Sequence, residues 1–331
     1  MSGSRSENSD AAATGKRISS LPVVDFSRYS LPDGPQNIAA DIKQATTQSG
    51  FFYLEKHGIP DTTIASIRQA QRRFFALPDE AKQGVAIDTN NRGYLASGKA
   101  RMHGAKAHDQ KEVFFWGAEL PADHPDIRDQ LPLCGANQWP DTMPDLRTAV
   151  LTYSNAIQEL GEKLLACIAL SLGTSQDFFT RFYQDSLIRG QLLHYPPTEG
   201  DQDQFGVAPH TDFGCITLLL QETAGLEVLI DDDWVAAPPI EGTLVINIGD
   251  LLERWTNHRL PSTRHRVRNN TGDERYSIAM FHDPSARAII DPADLDPTID
   301  TRRYEPVGAA DYIIGRNRGA FAHYGEVAEK S

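Results

Sequence analysis

His210 and Asp212 stand two residues apart in "APHTDFGCITLLLQ" (residues 208–221), at the entrance to an apolar run. In extended backbone, residues i and i+2 project to the same side, so both side chains can reach one ion from one strand end. A third donor, His265, follows in "STRHRVRN". Two imidazoles and a carboxylate on one face of an octahedron leave three positions open to reactants, which suits Fe(II). A His-x-Asp pair also arises by chance as a surface histidine and a turn aspartate, so the rest of the chain must supply the weight.

That weight comes from "ERYSIAMF", where Arg275 and Ser277 repeat the i, i+2 spacing ten positions beyond His265. A guanidinium presents a planar fork to a carboxylate, and the serine hydroxyl adds a donor. Buried beside a metal, such a pair is costly without an anionic partner. A dicarboxylate that chelates the metal through its other end meets that need. Alone, Arg-x-Ser reads equally well as an exposed ion pair.

Composition bounds the partners. Lys and Arg total 32 against 45 Asp and Glu, a formal charge of −13, and 40% of the 331 residues are hydrophobic. The acidic balance repels phosphate backbones and anionic headgroups, so neither nucleic acid nor a membrane surface is expected as a partner. No apolar stretch approaches the ~20 residues that span a bilayer. The polar, small-residue stretch 1–20 reads as a disordered tail, and the three scattered cysteines, Cys134, Cys167 and Cys215, suit a reducing compartment. A cytoplasmic protein is expected; the oligomeric state is not legible.

The elements that must position these residues come in two styles. Residues 21–184 read as a helix-rich region opened by the strand "LPVVDFS". A helix over "PQNIAADIKQATTQSG" ends at Gly50, the strand "FFYLEKHGIP" follows, and Asp61 is expected to cap a helix closed by Pro78. Residues 83–109 predict a long loop. The strongest helix carries Leu146, Val150, Tyr153, Ile157, Leu160, Leu164, Ile168 and Leu172 at steps of three and four, with Gly173 as its stop. From about residue 185 the rhythm changes to short apolar runs, "LIRGQLLHY", "CITLLLQ", "LEVLI", "TLVINIG", "HRV" and "RYSIAMF", which predict an antiparallel sandwich or barrel.

With these motifs in order, the chain resembles the 2-oxoglutarate and Fe(II)-dependent dioxygenases of the isopenicillin N synthase-like group. "HTDFGCITLLLQ", "GLEVL", "VINIGDLLERWTNHRLPSTRHRV" and "RYSIAMFHDP" are similar to family signatures, and "LPVVDFS", "GFFYLEKHGIP" and "NQWP" to its N-terminal half. The resemblance implies an α+β fold, a double-stranded β-helix (jelly-roll) core over 185–290, and a segment 291–331 that could form a lid. It implies that His210, Asp212 and His265 bind Fe(II), and that Arg275 and Ser277 bind the far carboxylate of 2-oxoglutarate beside Tyr195. Gln191 and Leu193 depart from the Arg and Asn that many plant relatives carry. The implied activity is hydroxylation, desaturation or cyclisation of a small molecule with O2, releasing succinate and CO2, with ascorbate as a candidate reductant. Two other readings stay open: an iron oxidase that does not use 2-oxoglutarate, and a non-catalytic jelly-roll metal-binding protein.

The remaining features are weaker. "GYLASGKA" lacks the Ser/Thr that ends a phosphate loop, and fits better as part of a mobile segment in which Lys99, Arg101 and Lys106 could face an acidic substrate. Phe213 and Phe281 are candidate walls of the substrate pocket, while Trp255 and Cys215 read as core. His57 reads as a turn residue, and His258, His282 and His323 show no partner pattern. The Asn269-Asn270-Thr271 sequon has no role in a cytosolic chain.

Overall fold

The computed structural model describes residues 20–324, apart from 103–104, 106, 198–204, 270–271 and 299–300. The expected tail, apart from Ser20, Lys106 of the expected mobile segment and Asn270 and Thr271 of the sequon lie outside the described residues. In chain order the N-terminal part comprises β1 (Val23–Asp25), α1 (Gly34–Ser49), β2 (Phe51–Glu55), α2 (Asp61–Phe75), α3 (Asp79–Gln83), β3 (Gly93–Leu95), β4 (Glu112–Gly117), α4 (Pro125–Arg128) and α5 (Asp145–Ser171). The strands β5 (Ser186–Tyr195), β6 (Val207–His210), β7 (Ile216–Gln221), β8 (Leu226–Ile230), β9 (Asp233–Ala236) and β10 (Thr243–Ile248) follow. After α6 (Asp250–Trp255) come β11 (His265–Val267), β12 (Arg275–Ser285), β13 (Ile289–Ile290), β14 (Val307–Gly308) and α7 (Ala309–Arg318).

Two sheets form the jelly roll. The larger has the order β1-β2-β10-β7-β12-β5-β4-β3, and the smaller β6-β11-β8-β9. The four N-terminal strands therefore extend both edges of the larger sheet: β2 pairs antiparallel with β10, and β4 with β5. Covering an edge in this way removes unpaired backbone groups that would otherwise invite a second chain.

The large sheet is apolar on both faces, which is why its strands read as near-continuous hydrophobic runs. One face, with Phe52, Phe114, Leu192, Leu218, Ile246 and Met280, packs on the helices. The 27-residue helix α5 buries Leu146, Val150, Tyr153, Ile157, Leu160, Leu164 and Ile168 in that layer. The opposite face, with Phe51, Val113, Leu193, Val245 and Ala279, meets the small sheet across a second core.

Several local expectations shift. Gly50 ends α1 in the left-handed conformation (φ 67°) that glycine adopts without strain, and the expected stop at Gly173 is likewise left-handed (φ 79°). Asp61 is the first residue of α2 rather than its cap, which is Pro60; an aspartate there still complements the helix dipole. That helix ends at Phe75, and Pro78 instead opens α3. The expected loop 83–109 carries the edge strand β3, because Tyr94 and Leu95 have apolar pockets to enter in the two cores.

Candidate metal centre and its cavity

Strand β11 lies antiparallel to β6 in the small sheet, with His265 directly opposite His210. Asp212 follows two residues after His210, and the three side chains offer ligand atoms that all lie within 4.8 Å of one another. Oδ1 of Asp212 is 3.7 Å from Nε2 of each histidine. The strand register thus supplies the convergence that the two separate sequence motifs could not guarantee.

Each donor is oriented by its other polar atom. Nδ1 of His210 donates to the Ala208 carbonyl at 2.8 Å, and Nδ1 of His265 to the Thr263 carbonyl at 3.2 Å. A carbonyl only accepts, so the proton sits on Nδ1 and the Nε2 lone pair faces the other ligands. Burial, helped by the adjacent His265, lowers the His210 pKa and keeps that ring neutral. Oδ2 of Asp212 accepts from Thr217 Oγ1 (2.5 Å) and Asn247 Nδ2 (2.8 Å), leaving Oδ1 for an ion. Burial alone would raise the Asp212 carboxyl, but the adjacent His265 and these two hydrogen bonds outweigh it and lower its pKa.

The same cavity contains the second motif. Along β12, Arg275, Ser277, Ala279 and Phe281 all point inward, and Arg275 pairs across the sheet with Tyr195. The Arg275 guanidinium is 1% exposed and lies 4.6 Å over the Tyr195 ring. It donates to Ser277 Oγ (3.1 Å) and to the Ala224 carbonyl (3.2 Å), while Nη2 has no partner among the described residues. Burial lowers its pKa, yet no carboxylate of the described residues pairs with it. A buried cation with an open donor, in one cavity with three side chains whose ligand atoms could hold a metal ion, fits a dianion that would bridge the two.

Sequence reasoning missed several lining residues. Thr217 and Asn247 are polar residues set inside apolar strands, a signal legible in "CITLLLQ" and "TLVINIG". Period-2 stepping back from Tyr195 along β5 passes Leu193 and Gln191 and reaches Arg189, all facing the cavity. Lys111, also in the wall, is buried and stands 3.3 Å from Asp109, whose other oxygen accepts from the Ala208 amide (3.1 Å). From the C-terminal segment, Asn317 and Phe321 complete the wall, with Phe321 edge-on to Phe115 at 5.6 Å.

Phe213 and Phe281 both line the cavity, under the guanidinium groups of Arg316 (4.6 Å) and Arg189 (5.0 Å) respectively. Trp255 is fully buried among Phe178, Phe179 and Phe182, and Cys215 is buried with its amide on Asp283 Oδ1 (2.7 Å). His57 accepts from the Ile59 amide in a turn, His258 pairs with Glu253 (3.2 Å), and His323 meets Asn91 (2.8 Å). His282 is buried with both ring nitrogens unpartnered among the described residues. Lys99 and Arg101 are exposed and form no part of the cavity wall.

Two family models match the chain: the non-haem dioxygenase in morphine synthesis N-terminal model over residues 21–142, and the 2OG-Fe(II) oxygenase superfamily model over residues 181–284. The 2-oxoglutarate-Fe(II) type oxidoreductase hxnY of Emericella nidulans is 34% identical over 330 residues, covering 94% of each chain. The 2-oxoglutarate-dependent dioxygenase tropC of Talaromyces stipitatus is 35% identical, covering 83% of this chain and 89% of its own. Among solved structures, a full-length Neurospora crassa protein crystallised in complex with alpha-KG superposes with a TM-score of 0.79 at 28% identity, covering 89% of this chain and 95% of its own. A Caulobacter crescentus protein assigned to the 2OG-Fe(II) oxygenase family gives 0.80 at 34% identity, covering 91% and 99%.

Proposed function

From the premise that this chain belongs to the 2OG-Fe(II) oxygenase superfamily, we propose that His210, Asp212 and His265 hold its Fe(II) and that Arg275, Ser277 and Tyr195 hold its 2-oxoglutarate. The protein is a 2-oxoglutarate-dependent dioxygenase that oxidises a small molecule. When bound, iron and 2-oxoglutarate supply the oxidising power: in a hydroxylation, one oxygen of O2 enters succinate, the other enters the substrate C–H bond, and CO2 leaves.

The chain's own residues bind, orient and exclude water. Thr217 and Asn247 fix Asp212 so that one oxygen faces the ion, and the Ala208 and Thr263 carbonyls fix the two imidazoles. Arg275 and Ser277 supply a forked, charge-assisted seat for the distal carboxylate, and Tyr195 supports the guanidinium from beneath. Phe213 and Phe281 are the proposed substrate walls, and ascorbate is the proposed auxiliary reductant. No described helix is long and apolar enough to cross a membrane, and three buried free thiols support a cytoplasmic location.

The observation that carries this reading is the open Nη2 of buried Arg275 in the cavity of the His-Asp-His cluster. Anaerobic addition of Fe(II) and then 2-oxoglutarate to the metal-free protein tests it. A weak visible charge-transfer band is expected, and it should fade in both His210→Ala and Arg275→Ala. Iron binding without the band would turn the reading toward an oxidase that does not use 2-oxoglutarate.

A further inference from the structure

The end of the cavity away from Arg275 has a charge and donor pattern of its own. Arg189 lies six residues from Tyr195 on the same face of β5, roughly 20 Å along the strand at ~3.3 Å per residue. Its Nε (3.1 Å) and Nη2 (2.6 Å) both donate to Oδ2 of Asp283. Nη1 has no hydrogen bond among the described residues, and the side chain borders the cavity. Asn317, on α7, borders the same cavity at 2% exposure, and its Nδ2 is an unpartnered buried donor. The Tyr324 hydroxyl donates to Asn91 Oδ1 at 2.8 Å and its oxygen faces the Asn317 side chain outside close hydrogen-bond geometry, so a ligand at Asn317 competes with that contact.

A second buried cation stands behind Arg189. Gly117 pairs with Arg189 across the sheet, and a Cβ at Gly117 would meet the Arg92 guanidinium at 2.1 Å. The Arg92 side chain is buried and donates to the carbonyls of Asn90, Asn91 and Leu133, while its backbone amide donates to Asp88 Oδ1 (2.9 Å), whose charge acts on the guanidinium. Asp283 and Asp88 offset the two guanidinium groups in charge, while Nη1 of Arg189 keeps a charge-assisted donor open at the cavity. A guanidinium N–H beside a second open N–H donor suits a ligand with two acceptor oxygens, and a carboxylate makes the stronger, charge-assisted bond. The flanking walls are flat and apolar: Phe213, Phe281 and Phe321.

Resting on the dioxygenase reading above, we propose that Arg189 and Asn317 are specificity-determining residues that anchor a carboxylate of the substrate, whose flat ring packs between the phenylalanines. Two donors on different elements, β5 and α7, can each take one carboxylate oxygen. A neutral amide of the same shape offers one acceptor and no charge, and it presents an N–H group to the other donor. Discrimination is therefore built into the pair rather than into the ring.

Equilibrium binding on the full chain, anaerobic with Mn(II) and saturating 2-oxoglutarate, tests this with benzoate and 2-naphthoate as probes and their primary amides as controls. The carboxylates are expected to bind at least tenfold tighter than the amides. Asn317→Leu and Arg189→Lys should each cut that preference by fivefold or more, with 2-oxoglutarate affinity unchanged. The lysine keeps a cation on Asp283, so the fold retains its ion pair, and Asn317→Leu tests the anchor without touching that pair. Equal affinity for acid and amide, no measurable binding of either carboxylate, or an unaltered preference in both variants overturns the proposal. Loss of 2-oxoglutarate binding by the unmodified protein would instead overturn the dioxygenase reading, so the two failures are distinguishable.

Discussion

The Asn247 carboxamide donates to Oδ2 of Asp212 at 2.8 Å across 35 positions of sequence, joining β10 of the large sheet to the loop of the proposed metal ligand beside β6 of the small one. The same oxygen takes the Thr217 hydroxyl, so Asp212 can rotate only by giving up two buried hydrogen bonds. Removing such an outer partner costs about 10–100-fold in metal affinity. Asn247→Leu and Thr217→Val are each expected to weaken Fe(II) binding by that factor, read by competition with a chelator, with thermal stability changed little.

Arg275→Met removes the one buried cation whose open donor faces the proposed co-substrate. Truncating one partner of a buried charge pair costs about 2–5 kcal/mol, so 2-oxoglutarate affinity should fall by about 30-fold or more. Ser277→Ala removes a single hydrogen bond to that guanidinium and should cost about tenfold or less. Titration of the metal-loaded protein with 2-oxoglutarate measures both; equal losses in the two variants would contradict the assignment of the charge to Arg275.

Glu112 joins α3, β3, β4 and β5 by accepting from Lys82 (2.9 Å) and Tyr94 (2.5 Å) and by meeting His194 (2.7 Å). Burial raises its pKa, but these partners outweigh it and bring the value down from 4.5 to about 2. A carboxyl whose folded value is depressed contributes stability that is fully present above its unfolded value and lost as pH falls through the folded one. Stability should thus decline between about pH 4.5 and about 2, with Glu112 contributing at most ~3 kcal/mol of that decline. Chemical denaturation across this window should show a shallower slope in Glu112→Gln.

A Cβ on Gly214 would sit 2.0 Å from Oδ1 of Asp283, the oxygen that accepts from the Cys215 amide. Asp283 also holds Arg189, so the displaced carboxylate cannot move without breaking a second contact. Gly214→Ala should destabilise the protein by about 1–3 kcal/mol, the usual cost of overpacking, and should weaken metal binding because Asp212 is two residues away. Thermal unfolding and metal titration of the same sample check both effects.

How much of this was written in the chain depends on the range of the interaction. The i, i+2 spacing of His210 with Asp212 and of Arg275 with Ser277 is a local property of extended backbone, so the sequence alone determined which side chains share a face. Alternating and continuous apolar runs likewise determined the strands of the jelly roll and the long helix α5, because burial on one or two faces leaves a periodic mark. The edge strand β3 escaped notice because only three residues pair, and their apolar pockets come from distant elements.

What only the tertiary structure decided is everything that needs register between remote segments. The β6–β11 pairing sets His265 opposite His210; one residue of slip would turn His265 to the other face. Thr217, Asn247 and Arg189 leave only the mark of a polar residue inside an apolar run, and Asn317 leaves none, since each becomes meaningful through an acceptor or cavity that another element provides. Arg275 was legible as a donor, but its open Nη2 is a fact of burial. Short-range geometry is encoded by neighbours in sequence, whereas partnering and desolvation are set only when the sheets close on one another.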